Sequence, residues 1–304
     1  MGKPESKSPI SSMFSRAFRR PNATPSSTAA PSDSLAPPPS YTEATSHSAS
    51  TGEDPHAFLS AFDTIFLIDD SASMRGSRWE ETRKVLEAIV PICTAHDEDG
   101  VDIYFLNHKT DQPEDRAKGS AGTGYRGVRD PKHVQSIFDQ VQPRNGTLTA
   151  RRLWYILRPY TNLYKKKVDE TGDETCLKPL NIIVITDGAP NDEPDQVIVK
   201  VAKILDDKDA PLYQVGIQFF QVGNDPEATK ALRDMDDQLS SGNNAGMRDI
   251  VDTTTFDARP DLTKTGTSFL RGRHTSTQLT SETVLKVVLG AVVRRLDRVE
   301  TRRS

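Results

Sequence analysis

Side chains that carry oxygen stand in three separated parts of the sequence, at spacings that suit a metal site. Asp69, Ser71 and Ser73 directly follow a short apolar run, so one carboxylate and two hydroxyls lie within a single turn. Asp187 follows a second apolar run, in the tripeptide Thr-Asp-Gly, and Thr147 lies between the two runs, just before a predicted helix. If both runs are parallel strands of one sheet, their carboxyl ends bring these groups to the same edge.

The donor set indicates which kind of ion such a site would hold. All five side chains offer oxygen, and none offers nitrogen or sulfur. Hard cations prefer such ligands, and Mg²⁺ takes about six oxygens at about 2.0–2.1 Å. The sequence therefore predicts a site for Mg²⁺ (or Mn²⁺) formed by Asp69, Ser71, Ser73, Thr147 and Asp187. Thr149 is an alternative to Thr147, because both threonines lie in the same loop.

The elements that must position these residues alternate between strands and helices. Short apolar runs predict buried strands, and apolar residues at i, i+3, i+4 and i+7 predict helices. The predicted strands are Thr64–Asp69, Val101–Asn107, Asn181–Thr186, Tyr213–Val222 and Asp249–Thr254. The predicted helices are Arg78–Ala95, Pro131–Val141, Thr149–Lys167, Asp195–Asp206, Pro226–Leu239 and Ser281–Val299. This order indicates an α/β fold, doubly wound, with a mostly parallel central sheet flanked by helices, and it leaves Lys109–Asp130 and Ala258–Leu279 as long surface loops.

From Phe62 to Val299 the sequence resembles the von Willebrand factor A (vWA) family. The resemblance is carried by the family's metal-ion-dependent adhesion site (MIDAS): Asp-x-Ser-x-Ser after the first strand, a threonine in a later loop and Thr-Asp-Gly at a strand end. It implies a Rossmann-like fold in which Ser71 and Ser73 bind the ion directly. It further implies that the two aspartates act largely through water or by fixing the hydroxyls, and that the threonine binds directly or through water.

The resemblance also implies what the site does. In this family the ion keeps a free position for a Glu or Asp side chain of a partner protein. We therefore expect a non-enzymatic protein-binding module, an intracellular adaptor or scaffold. A Mg²⁺-dependent phosphohydrolase is a weaker alternative, because the position two residues after Asp69 holds Ser71 and not a second aspartate.

Several features have a simpler structural interpretation. Ser and Asp after a buried strand often only cap the next helix. Asp70 is expected to face away from the site, as a cap or a solvated charge. The terminal helix Ser281–Val299 is expected to cover the sheet, although in the family this helix often moves when the ion takes its ligand. Gly122–Gly127 matches a dinucleotide-binding pattern but follows no apolar strand, so a flexible loop is the better interpretation.

The chain divides into a tail and one domain. Residues 1–56 are rich in Ser and Pro and poor in aliphatic residues, which predicts a disordered tail. Residues 57–300 form the predicted vWA-like domain, and residues 301–304 a short end. Within the tail, Pro38, Pro39 and Tyr41 form a Pro-Pro-x-Tyr motif, a ligand type of WW domains. Since several ubiquitin ligases carry WW domains, an adaptor that acts through this motif is the alternative function.

Composition limits the remaining classes of partner. The formal net charge is −4, which argues against nucleic-acid binding through overall charge. No run reaches the ~18 apolar residues of a membrane span, and the basic residues 1–20 allow at most peripheral contact with an anionic membrane. Cys93 and Cys176 are far apart, and no secretory signal precedes them, so we expect a cytoplasmic protein.

Overall fold

The computed structural model describes residues 57–97, 99–223, 225–240 and 247–256. The predicted tail, residues 1–56, lies outside the described residues together with its WW-ligand motif. The predicted loop Ala258–Leu279, the predicted helix Ser281–Val299 and residues 301–304 also lie outside them.

A six-stranded sheet forms the centre of the described part, in the order β3-β2-β1-β4-β5-β6. Its strands are β1 (Asp63–Ile68), β2 (Val101–Phe105), β3 (Tyr125–Val128), β4 (Leu180–Thr186), β5 (Val215–Val222) and β6 (Val251–Phe256). Only β3 runs antiparallel to its neighbour; the other pairs are parallel. This confirms the predicted mostly parallel α/β sheet.

In the part of the chain that the structure describes, five α-helices cover the two faces of this sheet. They are α1 (Ser77–His96), α2 (Pro131–Gln140), α3 (Thr149–Thr171), α4 (Pro194–Asp206) and α5 (Pro226–Ser240). Each lies within a few residues of its predicted position. Among the described residues, no helix is both long enough and apolar enough to cross a membrane.

Alternation along β1 separates two hydrophobic cores. Phe66 and Ile68 point into a core that includes residues of α1 and α2. Ile65 and Leu67 point into the opposite core, which includes residues of α3, α4 and α5. Successive side chains of a strand face opposite sides of the sheet, so a strand buried on both faces is apolar throughout. This is why β1, β4 and β5 were recognisable as continuous apolar runs.

The strand β3 corrects the prediction that Lys109–Asp130 is only a loop. Of its four residues only Val128 is buried, and Gly127 has a positive φ of 63°. A short, largely polar strand at the edge of a sheet has neither the apolar run nor the clean alternation that a sequence pattern requires. The rest of the segment is also tied down: Tyr104 Oη donates to Ala121 O at 2.7 Å, and a Cβ at Gly124 would lie 2.4 Å from the Tyr104 ring.

Candidate metal centre

Asp69 lies at the carboxyl end of β1 and is fully buried. Its Oδ1 accepts a hydrogen bond from Ser71 N at 2.8 Å, and its Oδ2 accepts one from Thr186 Oγ1 at 2.7 Å. Burial raises the pKa of Asp69 to about 6, an effect that the bonds from Thr186 and Ser71 oppose. The carboxylate is therefore fixed between the ends of two adjacent strands, β1 and β4.

The two serines connect Asp69 to another predicted residue, Asp187. Ser71 Oγ lies 2.9 Å from Ser73 Oγ, and Ser73 Oγ donates to Asp187 Oδ1 at 2.9 Å. Asp187 follows β4 directly and is buried. The structure thus brings four of the five predicted side chains together through a continuous chain of hydrogen bonds.

Thr147 belongs to the loop that packs against this group. Ala72 N donates to Asn145 O at 3.0 Å, which joins the loop to the serine-bearing turn. Asn191 holds the loop from the other side: its Oδ1 accepts from Thr147 N at 2.7 Å, and its own N–H donates to Thr147 O at 2.8 Å. Thr147 is buried, and its hydroxyl makes no hydrogen bond to the other four side chains in the described part of the chain.

The alternative residue, Thr149, is the first residue of α3. Its Oγ1 is buried and has no hydrogen-bond partner among the described residues. The two threonines therefore remain distinct candidates, one held through its backbone in the loop and the other inside the first turn of the helix.

Asp70 faces away from this group, as predicted, but it is a buried carboxylate and not a solvated one. Its Oδ1 accepts from Asn107 N at 2.7 Å, and its Oδ2 accepts from His108 N at 2.8 Å. Burial raises the pKa of Asp70, while these bonds act in the opposite direction. Asp70 thus fixes the segment after β2 to the end of β1, a role that depends on the fold and that the sequence pattern did not reveal.

Arg78, in the first turn of α1, is a member of the site that the sequence reasoning missed. Its Nη1 donates to Asp187 Oδ2 at 2.7 Å and to Ser73 O at 3.2 Å. The only available signal was its position five residues after Ser73, one helical turn from the motif. One oxygen of Asp187 therefore faces the serines and the other faces a guanidinium.

The residues present fit a hard divalent cation by their chemistry. Two buried carboxylates and two serine hydroxyls converge, with a threonine in the adjoining loop. Such an all-oxygen set suits Mg²⁺ or Mn²⁺ better than a softer ion. The ion pair with Arg78 offsets part of the negative charge that a cation would meet.

A separate acidic group lies at the other end of β1. Carboxylate oxygens of Asp63, Asp97 and Asp99 lie within 4.8 Å of one another and could hold a metal ion. Lys178 already pairs with two of them, at 2.9 Å from Asp63 and 3.1 Å from Asp97. Asp63 is the first residue of β1, and Asp69 directly follows its last residue. The cluster at Asp63 and the candidate metal centre at Asp69 are therefore separated by the length of the strand, about 20 Å.

Solved structures similar to this chain include the following three, all of low sequence identity. A von Willebrand factor type A protein from Catenulispora acidiphila is 15% identical; the match covers 64% of this chain and 38% of that one, with a TM-score of 0.36. The manganese-loaded TRAP protein of Plasmodium vivax is 13% identical over 65% of this chain and 69% of its own, with a TM-score of 0.34. The SpRpn10 VWA domain is 12% identical over 66% of this chain and 90% of its own, with a TM-score of 0.35.

This chain therefore spans well under half of the Catenulispora protein. Comparison with curated proteins gave no match. The model of the von Willebrand factor type A domain matches residues 63–264, which include every strand of the sheet and all five predicted metal ligands. By this match over most of its length, the chain belongs to the von Willebrand factor type A domain family.

Proposed function

We propose that the domain is a metal-dependent protein-binding module. Asp69, Ser71, Ser73, Thr147 and Asp187 would hold Mg²⁺ (or Mn²⁺), and the partner would present a Glu or Asp side chain to the ion. The observation that supports this most directly is the hydrogen-bonded chain from Ser71 through Ser73 to Asp187, which links groups 114 residues apart. Domains of this family generally mediate protein–protein interaction.

The arrangement of this chain's own residues fits that role. Thr186 and the Ser71 backbone orient Asp69, so that the serine-bearing turn is fixed before any ion arrives. The hydroxyls are neutral ligands and cancel little of a cation's charge. When bound, the ion would offer an electrophilic position to a carboxylate of the partner, and the surrounding surface would supply selectivity.

We propose further that the domain acts in the cytoplasm as an adaptor or scaffold and is not an enzyme. A phosphoryl-transfer site with paired aspartates at the first strand would need a second aspartate two residues after Asp69. This chain has Ser71 there, so a hydroxyl replaces that second carboxylate. The motif Pro38, Pro39 and Tyr41 supports a second contact, with a WW-domain protein, because its prolines favour the extended conformation such domains bind.

Removal of the serine hydroxyls tests the metal site directly. In the variant Ser71→Ala/Ser73→Ala we expect Mn²⁺ affinity, measured by loss of the free Mn²⁺ signal in electron paramagnetic resonance, to fall at least about tenfold, because two ligands are lost. Ser77→Ala is the control, since Ser77 is an exposed serine at the start of α1. Unchanged Mn²⁺ binding in the double variant, with an unchanged circular dichroism spectrum, would contradict the proposed site.

A further inference from the structure

A groove of about 380 Å³ lies along α3 beside the candidate metal centre. We call it the α3 groove. Among the described residues, its lining includes four cations and no carboxylate. The cations are Lys109, Arg151, Arg152 and Arg158. Three of the four are exposed, and none forms an ion pair with any residue that the structure describes.

The carboxylate at the same end of α3, that of Asp192, forms no ion pair with these cations among the described residues. Asp192 accepts hydrogen bonds from Ala150 N and Arg151 N, one on each oxygen, at 2.9 Å. It therefore caps the free N–H groups of the helix. The four cations outnumber this single carboxylate, so the net charge at the groove is positive.

Arg152 shows that the positive charge continues into the wall of the groove. Only 3% of this residue is exposed, and its guanidinium lies between the rings of Tyr104 and Tyr155, at 5.4 Å and 4.9 Å from their centroids. Its two terminal nitrogens donate to Thr123, while its buried Nε has no hydrogen-bond partner among the described residues. The carboxylate of Asp70 interacts with this guanidinium electrostatically but forms no ion pair with it, so an anionic ligand would further lower the cost of burying the charge.

Apolar and aromatic surface accompanies the cations. Leu148, Trp154 and Tyr155 also line the groove, and Leu148 is an exposed large hydrophobic residue. Lys200 places its ammonium 3.8 Å from the centroid of the Trp154 ring, which adds a further cation beside the groove. An occupant that matches this lining carries both negative charge and apolar side chains.

The α3 groove adjoins the loop that carries Thr147 of the candidate metal centre. Leu148 directly follows Thr147, and Asn107, which lines the groove, donates from Nδ2 to Gly146 O at 3.1 Å. A peptide chain that presents one residue at the centre reaches the groove within its next few residues, at about 3.3 Å per extended residue.

We propose that the α3 groove binds an acidic segment of the partner protein, one in which Asp or Glu residues alternate with apolar side chains and which extends the contact made at the metal centre. This inference rests on the proposed function, because it assumes that the same partner protein contacts the metal centre and the groove. The acidic nature of the segment follows from charge complementarity with the groove. The chain's own segments outside the structure fit poorly. Residues 1–20 and 257–304 contain more Lys and Arg than Asp and Glu, and residues 21–56 hold four acidic residues and no Lys or Arg but no stretch in which acidic and apolar residues alternate.

The test uses the full chain and a fluorescein-labelled peptide of repeated Glu-Glu-Leu units, measured by fluorescence anisotropy in EDTA and in Mg²⁺. The groove variant is Arg151→Glu/Arg158→Glu. The matched control is Arg116→Glu/Lys132→Glu, which makes the same change in charge at exposed residues outside the groove. A repeated Gln-Gln-Leu peptide and a labelled oligothymidylate test the need for charge and the nature of the occupant.

In EDTA we expect the acidic peptide to bind the wild type and the control alike, and to bind the groove variant about tenfold more weakly. Equal affinity for the groove variant and the control would overturn the proposal. Equal binding of the Gln-Gln-Leu peptide would also overturn it, as would tighter, groove-dependent binding of the oligothymidylate. Since these measurements exclude metal, they separate the two proposals: if Mg²⁺ adds no affinity but the groove variant still loses it, only the metal-centre proposal fails.

Discussion

Among individual residues, Arg78 has the most direct influence on the candidate metal centre. Its guanidinium bonds to Asp187, whose side chain is 1% exposed, whereas the side chain of Arg78 is 38% exposed. The side chain of Arg78 can therefore rotate into solvent, whereas the carboxylate of Asp187 remains buried at the site. A divalent ion and Arg78 would compete for the negative charge of the same carboxylate, which makes the arginine an internal competitor of the ion.

Replacing this arginine should strengthen metal binding. In Arg78→Ala we expect the apparent dissociation constant for Mn²⁺ to fall about threefold to tenfold, because one positive charge next to the ion is removed. Electron paramagnetic resonance titration measures this constant. Arg75→Ala is the matched control, since Arg75 Nε donates to the carbonyl of Pro143 and not to a carboxylate. Weaker binding in Arg78→Ala would show instead that the guanidinium orients Asp187 for the ion.

At the level of elements, the junction of β2 and the edge strand β3 depends on one carboxylate. Asp102 Oδ1 accepts a hydrogen bond from Gly127 N at 2.9 Å, at the irregular step between the two strands. Burial raises the pKa of Asp102 to about 6, against the opposing effects of the Gly127 N–H and Arg126. The ionised carboxylate is therefore less favourable in the folded chain than in the unfolded one.

The pH dependence of stability should reveal this group. The folded state binds the proton of Asp102 more tightly, so its contribution to the free energy of unfolding is largest below about pH 4 and is lost as the pH rises through about 6. Asp102→Asn keeps an acceptor for Gly127 but does not ionise. Urea unfolding at pH 4.5 and pH 7 should show a loss of about 1–2 kcal/mol in the wild type relative to this variant. Parallel pH profiles would contradict the assignment.

The same contrast between elements explains how far the sequence could predict the fold. The strands β1, β4 and β5 are buried along almost their whole length and could be recognised as apolar runs. By contrast, β3 has a single buried residue and a glycine at positive φ, so no pattern marked it. An edge strand is defined by its pairing partner, and its own composition indicates little.

The residues of the candidate site likewise fall into those that the sequence could predict and those that it could not. Asp69, Ser71, Ser73 and Asp187 could be identified because their spacing follows strand ends. The role of Arg78 depends on a contact across 109 residues, between a helix and a distant loop, and local spacing carries no information about it. The burial of Asp70 likewise follows from its packing against the segment after β2.

At the scale of the whole molecule, the proposed function assigns separate binding activities to the domain and to the Pro-Pro-x-Tyr motif. The WW ligand is anchored by its tyrosine, so Tyr41→Ala should abolish binding of a purified WW domain, measured by calorimetry. The Glu-Glu-Leu peptide should bind this variant as it binds the wild type. Loss of both activities in Tyr41→Ala would show that the tail carries the function and that the domain serves only as a scaffold.

The candidate centre draws its carboxylates from the ends of β1 and β4, which are neighbours in the sheet although 114 residues separate Ser73 from Asp187. A nascent chain that has not yet emerged past β4 lacks Asp187, one of the two carboxylates of the candidate centre, and so has no complete site to offer. During translation, divalent-ion binding would consequently appear only after Asp187 has emerged and β4 has paired with β1.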